Sequence, residues 1–238
     1  MFSDSSKAAH KAPLWWGQLP WNWLEALALG LLLVAGVDVV LALLLQFMGL
    51  NLVGITGGFT FYVFSRLLGL GLLWLILKNR DATFRDLGFR SFKIKASFKQ
   101  LLGSVALFLI ASELILLAAE HLLPSINFDQ PQENFFLDAS GNWEISLAVI
   151  ALVVVAPIFE EVIFRGLLLP ALTKRFNLFI GVVVSSLLFG LVHLQIPVIV
   201  VTSVMGLLLA WLYYRSGSLW PAILFHSLKN IIAVIIIF

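Results

Sequence analysis

The stretch that decides the fold runs Ala156-Pro157-Ile158-Phe159-Glu160-Glu161-Val162-Ile163-Phe164-Arg165. It places two adjacent glutamates and an arginine inside a segment, residues 145–169, that is otherwise apolar and long enough to cross a membrane. An ionised side chain near the centre of a bilayer costs about 2.5–3.5 kcal/mol on insertion scales. The cluster therefore predicts either a stabilising ion pair within the helix or a site for catalysis or ion movement.

The composition of the whole chain also indicates a membrane protein. Of its 238 residues, 61% are hydrophobic and 12% are charged, whereas soluble domains average about 25% charged residues. The chain contains no cysteine, which excludes disulfides, a thiolate nucleophile and cysteine-ligated metals. We predict an all-α fold, a polytopic transmembrane helical bundle, and the length favours one compact domain.

The apolar segments predict about seven spans, within a range of six to eight. They cover residues 24–48, 56–77, 101–123, 145–169, 178–194, 197–214 and 219–238. Lysine and arginine concentrate after the second, fourth and sixth segments, whereas residues 124–144 carry only acidic charges. By the positive-inside rule, the N-terminus is cytoplasmic. Residues 1–23 are expected to form a cytoplasmic or interfacial segment, and residues 24–238 a single transmembrane domain.

Several polar residues in the earlier spans have structural interpretations. Asp38 and Arg66 fall at similar depths in the first two spans and are predicted to form an ion pair. The basic residues 78–99 interleave with apolar ones, so this connector either lies on the anionic membrane face or is a solvated loop. Pro157 either bends the fourth span or is an ordinary membrane-helix proline.

The later spans carry a second set of polar residues. Glu161 and Arg165 are four residues apart and share a helix face, while Glu160 points about 100° away. His193 lies near the end of the fifth segment, and His226 and Asn230 share a face of the seventh. Counted along the helices, these residues lie about 11–22 Å from the cytoplasmic ends. One shared pocket that opens toward the cytoplasm is therefore expected.

The chemistry available to such a pocket is peptide-bond hydrolysis. A carboxylate in apolar surroundings can act as a general base, and an imidazole can orient or deprotonate the same water. Histidine and asparagine side chains can donate hydrogen bonds to an oxyanion. Glu160, His193 and His226 also match a zinc ligand set, although no His-Glu-x-x-His motif is present. The sequence leaves metal-dependent and metal-free chemistry open.

Two of these polar residues also have simpler interpretations when taken alone. His193 would more often be a hydrogen-bonded interior histidine than a catalytic one. Lys229 is interpreted as a lysine whose ammonium group extends to the membrane interface. What these interpretations do not explain is the combination of glutamate, arginine, histidine and asparagine on three spans at compatible depths.

Three motifs carry a resemblance to a known family. They are Glu160-Glu161-x-x-x-Arg165, Phe189-x-x-x-His193 and His226-x-x-x-Asn230. In this order they resemble the CAAX prenyl protease/bacteriocin-processing family of intramembrane endopeptidases, also called CPBP or Abi. The resemblance covers residues 145–238, taken as the catalytic core, and the Leu87-Gly88-Phe89-Arg90 turn looks like another feature of the family.

The resemblance implies a role for each motif residue. Glu160 with His193 would activate the attacking water, and His226 with Asn230 would stabilise the oxyanion. Glu161 and Arg165 would orient the site. Family members are often described as metalloproteases. We favour glutamate-dependent catalysis without an obligatory cofactor, with zinc on Glu160, His193 and His226 as the alternative.

The expected protein is thus an intramembrane endopeptidase that acts on a membrane-associated or lipidated peptide or protein. Its expected partners are membrane lipid and that substrate, with no nucleic acid, and its oligomeric state is left open. The expected location is the plasma (inner) membrane or an equivalent organelle membrane. Two alternatives remain: a non-catalytic scaffold or bacteriocin-immunity protein of the same fold, and a proton-coupled transporter. The transporter is disfavoured because the sequence shows no internal repeat.

Overall fold

The computed structural model describes residue 16 and residues 19–50, 54–122 and 141–237, and all structural statements refer to these. Their regular structure is helical throughout, and seven helices pack into one bundle. These are α1 (Trp23–Phe47), α2 (Gly54–Asn79), α3 (Ile94–Leu122), α4 (Asn142–Arg175), α5 (Leu178–Leu191), α6 (Ile196–Ser216) and α7 (Trp220–Ile237). The predicted all-helical membrane bundle is confirmed. The acidic residues predicted between the third and fourth spans lie mostly outside the described residues, as does most of segment 1–23.

Among the described residues, five helices are long and apolar enough to cross a membrane: α1, α2, α3, α4 and α6. The predicted spans over 178–194 and 219–238 are not among these five, because α7 is a shorter apolar helix and α5 has only 14 residues. At about 1.5 Å per residue it is about 21 Å long, shorter than a hydrocarbon core of about 30 Å. The chain turns at Leu194, whose φ is +62°, and α6 begins at Ile196. His193 therefore lies in this turn and not within a helix.

The helix α4 is interrupted by two widened, π-helical stretches, Ile150–Val155 and Val162–Leu168. Each is followed closely by a proline, Pro157 or Pro170. Proline has no backbone N–H and its ring clashes with the preceding turn, and a wider turn relieves the clash but leaves a carbonyl without its usual donor. The α-helical piece between them, Ala156–Glu161, keeps the two glutamates on different faces.

The connector between α2 and α3 packs against the bundle, so neither sequence interpretation describes it fully. Leu87 is completely buried, and its carbonyl accepts a hydrogen bond from the Tyr213 hydroxyl at 3.0 Å. The carbonyl of Gly88 accepts another from the Leu219 amide at 2.8 Å. Gly88 has φ +108°, and a Cβ there would approach the Tyr213 ring at 2.6 Å. Glycine is therefore required at this turn for both conformation and space.

The segment before α1 packs against the same end of the bundle. Trp16 is 1% exposed, and its ring stacks on Tyr213 with 5.3 Å between centroids. The Trp21 indole donates to the Leu167 carbonyl at 3.4 Å, and the Lys174 ammonium donates to the Leu19 carbonyl at 3.3 Å. The connector and this segment together close one end of the bundle.

Candidate active site

A cavity of about 610 Å³ lies inside the bundle. Its wall is formed mainly by α2, α4, α6 and α7, together with the turn after α5. The four residues predicted to be catalytic all line this cavity, and they are Glu160, His193, His226 and Asn230. The two predicted orienting residues, Glu161 and Arg165, do not line it. The fold thus separates the motif residues into a set on the wall and a set behind it.

The pair behind the wall is completely buried. The Arg165 guanidinium lies 3.0 Å from Oε1 of Glu161, and both side chains are 0% exposed. The guanidinium also donates to the Gly206 carbonyl at 3.2 Å and lies 4.3 Å from the centre of the Phe189 ring. The predicted ion pair is present. These contacts offset part of the large cost of removing two charges from water.

His226 connects the two glutamates. Its Nδ1 is 3.0 Å from Oε1 of Glu161, and its Nε2 is 3.8 Å from Oε2 of Glu160. Because the Glu161 carboxylate is paired with Arg165, it serves as an acceptor, and Nδ1 of His226 is therefore assigned as the donor. The buried ion pair thus determines how the imidazole is oriented and directs Nε2 toward Glu160.

Glu160 keeps an unused hydrogen-bonding atom. Its side chain is 20% exposed, and Oε2 is buried without a hydrogen-bond partner among the described residues. A buried acceptor that the protein leaves unpaired is costly and is usually satisfied by water or a ligand. Because Glu160 also lines the cavity, it is the glutamate of the pair that can meet a water molecule or a substrate there.

The imidazole of His193 is held by its own local backbone. Its Nδ1 is 2.9 Å from the Phe189 carbonyl, which can only accept, so Nδ1 is assigned as the donor. The neutral ring then has a free lone pair on Nε2. The Phe189 ring stands 5.3 Å from the His193 ring and 5.8 Å from the His226 ring, edge-on to both. Within the described residues, no hydrogen bond joins His193 to Glu160, although both face the same cavity.

Asn230 is positioned through Pro157. The Ala156 amide bonds to the Ala151 carbonyl in the π pattern, so the next acceptor, the Leu152 carbonyl, would face the nitrogen of Pro157. Proline has no N–H to donate, and the Leu152 carbonyl instead accepts from Nδ2 of Asn230 at 2.7 Å. Pro157 therefore helps to position the Asn230 side chain, a role that neither sequence interpretation of this proline included.

Sequence reasoning missed other polar residues on the cavity wall. Lys229 lines the cavity together with Glu160, whereas the sequence interpretation placed its ammonium at the membrane interface. Lys229 follows His226 by three residues and shares its helix face, and this spacing could have shown that Lys229 faces the cavity. Arg66 forms the predicted ion pair with Asp38, yet it also lines the cavity beside the ring of Tyr62.

A metal site does not follow from this arrangement. In the part of the chain that the structure describes, no three histidine, aspartate or glutamate side chains are grouped to hold a metal ion. This includes the predicted alternative set of Glu160, His193 and His226. The Nδ1 contacts of His226 with Glu161 and of His193 with the Phe189 carbonyl do not bear on this point, because a metal-binding histidine usually donates from its other ring nitrogen in the same way. The argument against a three-ligand zinc centre is therefore that the described side chains are not grouped to form one.

The sequence of this part of the chain matches a known family. Residues 142–232 match the family model of the Rce1-like type II CAAX prenyl endopeptidases. The resemblance seen in the motifs is confirmed. The matched region contains all three motifs and both π-helical stretches of α4.

A relative in Bacillus subtilis (strain 168), described as "Putative membrane peptidase YdiL", is 35% identical over 91 residues. That alignment covers 38% of this chain and 37% of the relative, so the chain matches little more than a third of the relative's length. No solved structure matches the chain. The family match thus covers the cavity wall from α4 to α7 but not the part formed by α1 and α2. The extent of the catalytic core, placed at residues 145–238, stays a prediction.

Proposed function

We propose that this integral, multi-pass membrane protein is an intramembrane endopeptidase of the CAAX-protease-like kind. The observation that carries the proposal is the convergence of Glu160, His193, His226 and Asn230 on one cavity, where Oε2 of Glu160 lacks a protein partner. Its substrate is a membrane-associated or lipidated peptide or protein, and its environment is membrane lipid. We place it in the plasma (inner) membrane or an equivalent organelle membrane.

In the proposed reaction, Glu160 and His193 activate a water molecule. The water oxygen attacks the carbonyl carbon of the scissile peptide bond, and its proton passes to the Glu160 carboxylate or to Nε2 of His193. The carbonyl oxygen becomes an oxyanion. The tetrahedral intermediate collapses when the C–N bond breaks, and the departing amine takes the proton back from the same group. The unpaired acceptor on Glu160 and the assigned lone pair on His193 support these roles.

Stabilisation of the oxyanion is assigned to His226 and Asn230. Because Nδ1 of His226 donates to Glu161, donation from Nε2 to an oxyanion requires the doubly protonated imidazolium. The carboxylate oxygens of Glu161 and Glu160 lie 3.0 Å from its Nδ1 and 3.8 Å from its Nε2. Asn230 uses one amide hydrogen on the Leu152 carbonyl and retains a second for the oxyanion.

The experiment that tests the proposal is cleavage of a membrane-associated peptide by purified protein in detergent. Wild-type protein is expected to cleave it, and Glu160→Gln is expected to abolish cleavage because the amide cannot accept the proton. Glu113→Gln is the matched control, since Glu113 is an exposed glutamate on α3 that does not line the cavity. Equal cleavage by Glu160→Gln and wild type contradicts the mechanism. If Glu160→Ala and His193→Ala both retain the cellular phenotype, the scaffold alternative is favoured.

Catalysis is further proposed to proceed without an obligatory metal. The absence of a three-ligand group among the described residues supports this choice. We expect chelators to leave cleavage unchanged and active protein to lack stoichiometric zinc by elemental analysis. Complete loss of activity with a chelator, restored by added zinc, would overturn this part of the proposal.

A further inference from the structure

The basic residues at the helix termini define one end of the bundle, which we call the basic end. Lys78, Lys174 and Arg215 lie in the last turns of α2, α4 and α6. The connector residues Arg80 and Arg90 lie at the same end, since Arg80 donates to the Pro20 carbonyl and the Arg90 carbonyl accepts from Ser218. Basic ends of membrane helices stay on the cytoplasmic side.

The basic end is closed by packed side chains. Leu169, Leu212, Tyr213 and Leu219 are 0% exposed, and Trp16 is 1% exposed. Leu87 of the connector is also completely buried and contacts the bundle through the hydrogen bond from Tyr213. Protein interiors packed in this way contain few voids larger than a water molecule. This end therefore leaves little room for a peptide to pass.

The cavity extends toward the end of the bundle opposite the basic end. At about 1.5 Å per residue, His226 lies about 9 Å from the start of α7 at the basic end, whereas Phe59 lies about 28 Å from Lys78. Val198 likewise lies about 26 Å from Arg215 along α6. All three residues line the cavity. Phe59 and Val198 lie within two turns of the helix ends farthest from the basic end, where α2 begins at Gly54 and α6 at Ile196.

We propose that the cavity, as the described residues form it, opens at the end opposite the basic end, and that the protein takes its substrate from the non-cytoplasmic side of the membrane. The substrates are peptide segments that reach that face or the half of the bilayer next to it. This differs from the sequence expectation of a pocket open toward the cytoplasm, because that expectation used only distances along helices. It could not include the connector and the segment before α1, which close the cytoplasmic end. Hydrolysis rests on the proposed function, whereas the direction of the opening does not.

Single cysteines test the direction, and the cysteine-free chain makes their labelling unambiguous. Val198→Cys and Val192→Cys place a thiol on the cavity wall, far from the basic end. Ser91→Cys is the matched control, an exposed position in the connector at the basic end. We expect a membrane-impermeant charged maleimide to label the two cavity variants several-fold faster in right-side-out than in inside-out vesicles. The control should show the reverse preference.

Two labelling results overturn the inference. One is preferential labelling of both cavity variants in inside-out vesicles, together with Ser91→Cys. The other is that neither cavity variant is labelled from either side of the membrane, although both are labelled after denaturation. That result would mean that the cavity of the folded protein is closed at both ends. Use of two cavity positions guards against one substitution that prevents folding.

A second measurement separates this inference from the proposed function. The protein is reconstituted into proteoliposomes, the fraction with the basic end inside is determined with Ser91→Cys, and the peptide substrate is added outside. Cleavage is expected to scale with the fraction whose basic end is inside, and to vanish in Glu160→Gln. If cleavage scales with the opposite fraction, the direction is wrong and the peptidase assignment stands. If no preparation cleaves the peptide even in detergent, the assignment fails, and labelling still decides the direction.

Discussion

The carboxylate of Glu161 is completely buried and lies 3.0 Å from both the Arg165 guanidinium and Nδ1 of His226. The carboxylate of Glu160 lies on the cavity wall, whereas that of Glu161 does not. Each carboxylate has one oxygen without a hydrogen-bond partner among the described residues, so position and not pairing of that oxygen distinguishes the two. One step along an α-helix turns a side chain by about 100°, which is enough to separate these two environments. Adjacent residues of the same type can therefore serve stability and chemistry separately.

The largest expected effect concerns activity at the cavity. Glu160→Gln should lower kcat/KM by about 10²–10⁴, the usual contribution of a general base. Its thermal unfolding midpoint in detergent should stay close to that of wild type, because the Glu160 side chain is 20% exposed and its contact with Nε2 of His226 is long, at 3.8 Å. A large drop in that midpoint would show that Glu160, like Glu161, is needed for stability, and would remove the distinction between the two.

The next effect concerns stability behind the cavity wall. Arg165→Met leaves the Glu161 carboxylate buried without its cation, and we expect a loss of about 3–5 kcal/mol in the free energy of unfolding. Denaturant unfolding in detergent measures it. Arg66→Met is the matched control, because its partner Asp38 is 29% exposed and should be rehydrated more easily. An equal loss in the two variants would contradict the view that complete burial makes the Glu161 region special.

A third test concerns the oxyanion donors. Asn230→Ala should lower kcat by about 10²–10³ with little change in KM, as expected for a donor that acts in the transition state. Thr202→Val is the control on the same cavity wall, since the Thr202 hydroxyl already donates to the Val198 carbonyl. A change in KM alone would indicate that Asn230 binds substrate instead.

The smallest expected effect tests the electrostatics of the cavity. Lys229 lines the same cavity as Glu160, and a positive charge there favours both the ionised carboxylate and a nearby oxyanion. Lys229→Met should reduce kcat/KM on the order of tenfold, and Lys229→Arg should restore most of it. If arginine does not rescue activity, the lysine contributes through its shape and not through its charge.

Much of the fold was predictable because helical membrane segments are encoded locally. The seven helices fall close to the seven predicted segments, and the Glu161–Arg165 pair follows from a four-residue spacing. The end of α5 was not predictable from hydropathy, because the chain stays apolar through Val192 and Leu194 while its backbone turns. The π-helical stretches of α4 were missed for a similar reason. A proline indicates that an α-helix is distorted nearby, but not whether the distortion is a bend or a wider turn.

The candidate site was predictable only in part. Glu160, His193, His226 and Asn230 were identified from their chemistry and motifs, and the structure brings all four to one cavity. The contact of Asn230 with the Leu152 carbonyl could not be predicted, because it depends on a backbone acceptor released in another helix. Their catalytic roles stay predictions until the variants are measured.

Spacing along a single helix already specifies that Glu161 can pair with Arg165 and that Glu160 must point elsewhere, because both follow from helical geometry. Hydropathy likewise specifies a membrane bundle, because about 20 apolar residues are enough to span the hydrocarbon core. Which end of that bundle is closed depends on contacts between residues far apart in the chain. Tyr213 with Leu87 and Leu219 with Gly88 are such contacts, and only packing of the complete chain creates them.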